Sequence, residues 1–176
     1  MLEMLGAVWP ALGYIAATVW MAVLIHEAGH YLAGLAVGLP ARAMRIRLRP
    51  APPHVALRDG EQWLSPEDRA YVPAFVQYRE SAPAAWIFIA GGFVAETVAM
   101  VGLALATQAV AGLPAIVLLT STAILLLYLA GDVIGSARSG EPTGDASALW
   151  RLSKAGTLTL IAVLLGARAL ALMMVW

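Results

Sequence analysis

Two histidines and a glutamate form the most chemically specific pattern in this sequence of 176 residues. They lie in His26-Glu27-Ala28-Gly29-His30, which has the H-E-x-x-H spacing. On a helix, residues i and i+4 share a face, so both imidazoles can reach one metal ion. The glutamate between them is placed to take a proton from water that zinc makes more acidic. The pattern predicts a hydrolytic zinc site with His26 and His30 as ligands and Glu27 as the general base.

The composition of the chain places this motif in a membrane. Hydrophobic residues make up 61% of the chain and charged residues 12%, whereas soluble domains average about 45–50% apolar and about 25% charged residues. These values exclude disorder and argue against a water-soluble globule, which must cover its surface with polar groups. Ionisable groups inside a membrane are costly and usually functional. The setting therefore favours metal binding over a chance match to the motif.

Few side chains are available as further metal ligands. The chain has no cysteine, which excludes disulfides and thiolate ligands, and its three histidines are His26, His30 and His54. A catalytic zinc has three protein ligands and keeps one position open. The third ligand must therefore be an acidic residue or His54. The net charge is zero, so there is no basic excess to indicate nucleic acid as a partner.

Four apolar segments are long enough to carry the motif and its partners across a bilayer. A hydrocarbon core of about 30 Å takes about 20 helical residues. Helices are predicted at about 10–38, 82–111, 114–135 and 155–176. The first has Pro10 in its opening turn and ends at Gly38. It is interpreted as a span rather than a signal peptide, because no basic region precedes it.

A polar loop, 41–81, separates the first two helices. Residues 44–49 alternate apolar and basic side chains, which is typical of a strand, and His54–Leu57 could form the return strand, with Asp59-Gly60 as a turn. The predicted fold class is an all-α membrane protein with about four transmembrane helices. A small cytoplasmic β-hairpin lies between helices 1 and 2. The whole chain, 1–176, is predicted to be a single membrane-embedded domain.

The distribution of basic residues predicts the orientation in the membrane. All Lys and Arg residues except Arg168 fall in two segments, 41–81 and 138–154. The positive-inside rule places these segments, and the H-E-x-x-H end of the first helix, on the cytoplasmic side. Both termini are then outside. Arg168 is close to the outer end of the fourth span, where we expect it to snorkel to the interface without a specific role.

The first helix resembles that of the site-2 protease family, intramembrane zinc metalloproteases that cut substrates within or next to the membrane. The resemblance rests on residues 26–34 and on Ala90-Gly91-Gly92, which is similar to an Ala-Gly-Pro type segment of the family. It implies one zinc ion held by His26 and His30, with Glu27 as the general base. The chain is short for the family and is expected to lack a PDZ or CBS accessory domain.

The resemblance also implies an aspartate as the third zinc ligand, from a motif that ends in Asp-Gly. Pro142-Thr143-Gly144-Asp145 is the nearest match, although it has no preceding Asn and is followed by Ala146. Asp132 is the alternative third ligand, because it lies within a span. Asp145 could instead be the N-cap of a helix that starts at Ala146. His54 is a weaker candidate, because a loop or strand histidine is usually solvated.

Two further groups of charged residues have open interpretations. Glu96, in the second span, could orient a zinc-binding histidine, or could be a protonated acid that is hydrogen-bonded between helices. Arg45, Arg47 and Arg49 could contact anionic lipid headgroups, form a solvated face, or belong to an edge strand that docks an extended substrate.

Together these features predict an intramembrane zinc metalloendopeptidase with membrane-anchored proteins as substrates and the lipid bilayer as its environment. Two alternatives use the same metal site without proteolysis. One is a non-catalytic zinc-binding membrane scaffold or regulator, in which Glu27 is dispensable. The other is a membrane metal carrier, which would move metal ions across a bilayer.

Overall fold

Four long apolar helices form the framework of the computed structural model, which describes residues 2–49 and 52–176. With two short helices, the described residues form six in all: α1 (Leu2–Ala36), α2 (Tyr71–Tyr78), α3 (Ala82–Ala106), α4 (Leu113–Ser139), α5 (Asp145–Leu152) and α6 (Lys154–Val175). Of these, α1, α3, α4 and α6 each contain a stretch long and apolar enough to cross a membrane. The predicted helical fold with four spans is confirmed, and it is the fold of a multi-pass membrane protein.

The ends of α1 differ in how well they were predicted. The helix begins at Leu2, so Pro10 lies inside it rather than in its first turn. The predicted end of the helix at Gly38 lies only two residues beyond the observed end at Ala36. Gly38 has a φ of 97°. This left-handed conformation suits glycine and ends the helix. The backbone N–H of Leu39 donates to the carbonyl of Gly34 at 2.9 Å and closes the last turn.

Local capping also moves the boundaries of α3 and α4. The predicted end of α3 near residue 111 is wrong, because the helix ends at Ala106. The next residue, Thr107, is the C-cap, and its hydroxyl donates to the Leu103 carbonyl at 2.8 Å. The predicted end of α4 near residue 135 is too early. That helix continues to Ser139 and ends at Gly140, which has a φ of 73°.

The polar loop forms a three-stranded antiparallel sheet rather than a simple hairpin. Its strands are β1 (Met44–Arg47), β2 (His54–Asp59) and β3 (Gln62–Leu64), in the order β1-β2-β3. β1 and β2 pair as predicted, with Arg47 opposite His54. The predicted turn at Asp59-Gly60 joins β2 to the additional strand, β3.

An apolar cluster fixes this sheet against the end of α1 that follows the H-E-x-x-H motif. Its buried members come from the loop after α1, from β1–β3, from α2 and from α3: Leu39, Met44, Val55, Leu57, Leu64, Ala74, Phe75 and Phe88. The Tyr71 hydroxyl of α2 adds a hydrogen bond to the Val55 carbonyl of β2, at 2.8 Å. The sheet and α2 therefore form a small unit docked beside the motif.

Small residues allow α1 and α3 to cross closely, and this is the most extensive helix contact in the structure. A Cβ atom added to Gly29 would lie 2.6 Å from the Cβ of Ala95. One added to Gly91 would lie 2.7 Å from the carbonyl oxygen of Gly29. In lipid, such residues let helix backbones approach and pack. The crossing brings Gly92 and Glu96 of α3 beside the motif.

We expect Gly91→Ala to destabilise the protein, because the added methyl group has no room at the α1–α3 crossing. Overpacking of this kind typically costs about 1–3 kcal/mol of the free energy of unfolding. Gly102→Ala, in the same helix, is the matched control, because a Cβ there meets nothing within 4 Å. It should be neutral or should stabilise the helix by up to about 1 kcal/mol. Unfolding in mixed micelles, followed by circular dichroism, measures both; equal effects would contradict the close crossing.

Candidate metal centre

Three side chains from two helices converge on one point. The Nε2 atoms of His26 and His30 are 3.0 Å apart, and the Oδ2 atom of Asp145 lies 3.0 Å from the first and 3.1 Å from the second. One ligand atom from each residue lies within 4.8 Å of the other two, so the group could hold a metal ion. The structure thus brings together the two motif histidines and the favoured aspartate.

The residues around this point fit a metal ion. Two imidazole nitrogens and a carboxylate oxygen face one another at 3.0–3.1 Å, and a cation could be bound by all three. Gly92 of α3 leaves space in front of them, since a Cβ there would lie 2.5 Å from Nε2 of His30 and 2.7 Å from Nε2 of His26. Nitrogen and oxygen donors of this kind, three in number, are the usual ligand set of a catalytic zinc.

The second ring nitrogen of each histidine faces an oxygen atom. The Nδ1–H of His30 donates to the backbone carbonyl of Phe88 at 3.0 Å, which fixes the tautomer and leaves Nε2 with a lone pair. The Nδ1 of His26 faces a carboxylate instead, with Oε2 of Glu96 at 3.6 Å. The Phe93 ring packs edge-on against the His26 ring, with centroids 5.1 Å apart.

Asp145 is the first residue of α5, and Gly144 is the N-cap, so the alternative interpretation of Asp145 as an N-cap is wrong. Its side chain is 27% exposed. Burial alone would raise the pKa of its carboxyl group. The imidazoles of His30 and His26, which lie within hydrogen-bond distance of it, outweigh burial and hold that pKa well below its usual range. The carboxylate is therefore ionised at neutral pH, which is the form that binds metal.

Asp132, the alternative ligand, lies outside this group and holds α5 in place. Its Oδ2 accepts the backbone N–H of Ser147 at 2.8 Å, and its Oδ1 accepts the Ser147 hydroxyl at 2.6 Å. The Thr143 hydroxyl donates to the same Oδ1 at 3.2 Å. Because Gly144 has no side chain, α4 supplies the acidic group at the start of α5. Asp132 thus fixes the helix that carries Asp145.

Two further predicted residues, Glu27 and His54, are not members of the group that could hold a metal ion. Glu27 lies between the two histidines in α1 and is only 8% exposed. The Nδ1 of His54, the first residue of β2, is 3.0 Å from the carbonyl oxygen of Pro52.

The three arginines lie on or just after β1. Arg45 and Arg49 are exposed and Arg47 is half-buried. The Arg45 guanidinium carbon lies 5.9 Å from the centre of the Trp63 ring, within range of a cation–π contact. Part of this basic stripe is therefore held against β3 rather than free in solvent.

Two tyrosines support the site and were missed by the sequence reasoning. The Tyr128 hydroxyl accepts the backbone N–H of Asp145 at 3.1 Å, and its ring centre lies 5.9 Å from that of His26. In the sequence, the only sign of a role for Tyr128 is its polar hydroxyl group within the aliphatic run 124–130. Burial, together with the nearby carboxylates of Asp145 and Glu27, raises the pKa of Tyr71. Its hydroxyl therefore stays protonated and continues to donate to β2.

Comparisons of the chain with protein-family models, with curated proteins and with solved structures return no match. The candidate metal centre combines two imidazoles, an ionised carboxylate, a space in front of them and a buried acid in the adjacent position of α1. These are the parts that metal-assisted hydrolysis requires.

Two aspartate variants separate ligand from support. We expect Asp145→Asn to weaken zinc binding by more than about 100-fold, because loss of an orienting partner alone typically costs about 10–100-fold. Asp132→Asn should keep one zinc per chain and should lower the free energy of unfolding by about 1–2 kcal/mol, because the amide NH2 cannot accept one of the two hydrogen bonds that the carboxylate accepts from Ser147. Competition with a chromophoric chelator measures the affinity. Equal loss of zinc in the two variants would contradict the roles assigned here.

The space at Gly92 provides an independent test of the centre. We expect Gly92→Ala to abolish stoichiometric zinc binding while the helical circular dichroism spectrum is retained, because the methyl group would occupy the space in front of the two Nε2 atoms. Gly102→Ala, two turns or more along the same helix, should bind zinc as the unaltered protein does. Metal content after gel filtration gives the answer, and a zinc-replete Gly92→Ala protein would argue against this location.

Proposed function

We propose that this chain is an intramembrane zinc metalloendopeptidase that hydrolyses peptide bonds of membrane-anchored proteins within or next to the bilayer. The observation that carries the proposal is the convergence of His26 and His30, from an H-E-x-x-H motif in a membrane-spanning helix, with the carboxylate of Asp145. The resemblance of residues 26–34 to the site-2 protease family supports the same activity.

His26, His30 and Asp145 would hold one zinc ion, which when bound polarises a carbonyl group and lowers the pKa of water. The Glu27 carboxylate takes a proton from the attacking water as the water oxygen bonds to the scissile carbon. It then passes that proton to the amine as the C–N bond breaks. At 8% exposure, Glu27 is largely shielded from bulk solvent, so its interactions are stronger than they would be in water.

The position of the motif along α1 indicates which part of a substrate can be cut. His30 lies six residues before the end of α1 at Ala36, or about 9 Å at the helical rise of about 1.5 Å per residue. The centre is therefore close to the end of the span that meets the sheet. The excess of basic residues on this side supports a position towards the cytoplasm. A scissile bond near the membrane surface fits this depth.

The sheet offers a place for an unwound substrate segment. Among the described strands, β1 pairs only with β2, so its other edge is not covered by a strand. Edge strands can add an extended peptide through backbone hydrogen bonds. We propose that β1, with Arg45, Arg47 and the following Arg49, docks the substrate before cleavage. Contact between these arginines and anionic lipid headgroups would hold the same edge at the membrane surface.

The decisive experiment compares the unaltered protein with Glu27→Gln on single-span test substrates in proteoliposomes. We expect the cleavage rate to fall by about 10²–10⁴-fold, the usual contribution of a general acid–base group. Zinc content should stay at one ion per chain, because the three ligands are unchanged. Thr18→Val is the matched control, since it removes a buried hydroxyl of the same helix that only bonds the Tyr14 carbonyl, at 2.8 Å. It should cleave at the normal rate.

The other outcomes point to different functions. Unaltered protein that contains no metal after purification without chelators would overturn the zinc centre. A zinc-replete protein that cleaves nothing, and whose biological role survives Glu27→Gln, would be a scaffold or regulator. Zinc flux into proteoliposomes that is insensitive to Glu27→Gln would identify a metal carrier. Cleavage that survives Glu27→Gln would overturn the proposed role of this residue as the base.

A further inference from the structure

A charged side chain deep in the helix bundle is tied to the metal centre. Arg168 of α6 was expected to snorkel to the membrane interface, and this prediction is wrong, because the residue is 2% exposed. Its Nη2 donates to Oε1 of Glu96 at 3.0 Å. Its Nε and Nη2 also donate to the Thr97 hydroxyl, at 3.2 and 2.9 Å. Arg168 therefore bonds two adjacent residues of α3.

The two carboxylate oxygens of Glu96 face different partners. Oε1 accepts from Arg168, whereas Oε2 faces Nδ1 of His26 at 3.6 Å. The Nε2 atom on the opposite side of the His26 ring points to Asp145 and His30. Arg168, Glu96 and His26 thus form a continuous polar line from α6 through α3 to α1, and it ends at the metal-binding point.

We infer that Arg168 is a positioning residue of the metal centre. It holds the Glu96 carboxylate towards Nδ1 of His26, so that this ring presents its Nε2 lone pair to the metal. The inference rests on the proposed zinc site, but it does not require that the site be proteolytic. Histidine ligands commonly bond a carboxylate or carbonyl through the nitrogen that faces away from the metal, and loss of that partner lowers metal affinity.

The geometry of the guanidinium group explains why an arginine serves this purpose. Its planar fork of donors contacts Glu96 and Thr97 together, which restricts the rotation of the carboxylate. A lysine offers a single flexible ammonium group instead. Apolar side chains could also hold α3 against α6, without the cost of removing two charges from water. Well-packed apolar replacements are often as stable as the buried ion pair that they replace. Helix packing alone therefore does not account for the pair.

The two histidine ligands differ in how they are supported. His30 bonds the backbone carbonyl of Phe88, which remains in place whatever side chains are changed in α6. His26 depends on the side chain of Glu96, which in turn depends on Arg168. Substitutions at Arg168 should therefore weaken metal binding through His26 alone. A merely structural role would change folding stability without this selective effect on the metal.

The test compares zinc affinity with stability in four variants: Arg168→Met, Arg168→Lys, Glu96→Gln and the double variant Arg168→Met with Glu96→Gln. Zinc dissociation constants come from chelator competition, and the visible spectrum of the Co²⁺-loaded protein reports the ligand field. Thermal unfolding of the metal-free protein reports stability. The double variant leaves no unpaired buried charge, so it separates positioning from folding even where a single variant folds poorly. Ser121→Ala, which alters a buried hydroxyl bonded to the Leu118 carbonyl, is the matched control.

We expect Arg168→Met, Glu96→Gln and the double variant to bind zinc about 10–100-fold more weakly, with altered Co²⁺ spectra. The double variant should unfold near the normal midpoint. Arg168→Lys should recover part of the affinity, and Ser121→Ala should match the unaltered protein. A stable double variant with normal zinc affinity and an unchanged Co²⁺ spectrum would overturn the inference. Zinc binding without cleavage would overturn only the proposed protease, whereas an unaltered protein that binds no zinc would overturn both.

Discussion

The cost of placing ionised groups in hydrocarbon governs how this bundle is assembled. In a bilayer, the hydrophobic effect does not favour contact between two apolar helices over contact between a helix and lipid, since lipid tails are as apolar as leucine. The buried polar groups do give such a preference. Arg168 joins α6 to α3, Asp132 joins α4 to α5, and the two histidines of α1 meet Asp145 of α5. The contacts that fix the fold are therefore the contacts that build the centre.

Close backbone packing is the second requirement, and it shares residues with the metal motif. The second variable position of H-E-x-x-H is Gly29, which meets Gly91 at the α1–α3 crossing. The next residue of α3, Gly92, leaves the space in front of the histidines. Gly91 thus permits close packing against α1, and the adjacent Gly92 leaves space beside the two Nε2 atoms. Larger residues there would separate α1 from α3 and carry Glu96 away from His26.

Some of these features could be predicted from the sequence, because they depend on local patterns. Hydropathy located four spans, and i, i+4 spacing placed two histidines on one face. The resemblance in Pro142–Asp145 favoured the aspartate that the structure places beside them. Arg168 could not be predicted in the same way. Its nearness to the end of a span suggested an interface, whereas its actual environment depends on the rotation of α6 against α3, which no local pattern encodes.

The net charge around the centre gives a reason for the four ionisable residues near the histidines, which are Glu27, Glu96, Asp145 and Arg168. A divalent ion there would carry two positive charges, and the carboxylates of Asp145 and Glu27 offset them. Glu96 would add a third negative charge, and Arg168 neutralises it at 3.0 Å. The loaded centre is then neutral overall, which minimises the cost of burying it away from water. On this argument Arg168 permits a carboxylate to orient His26 without leaving an uncompensated charge inside the membrane.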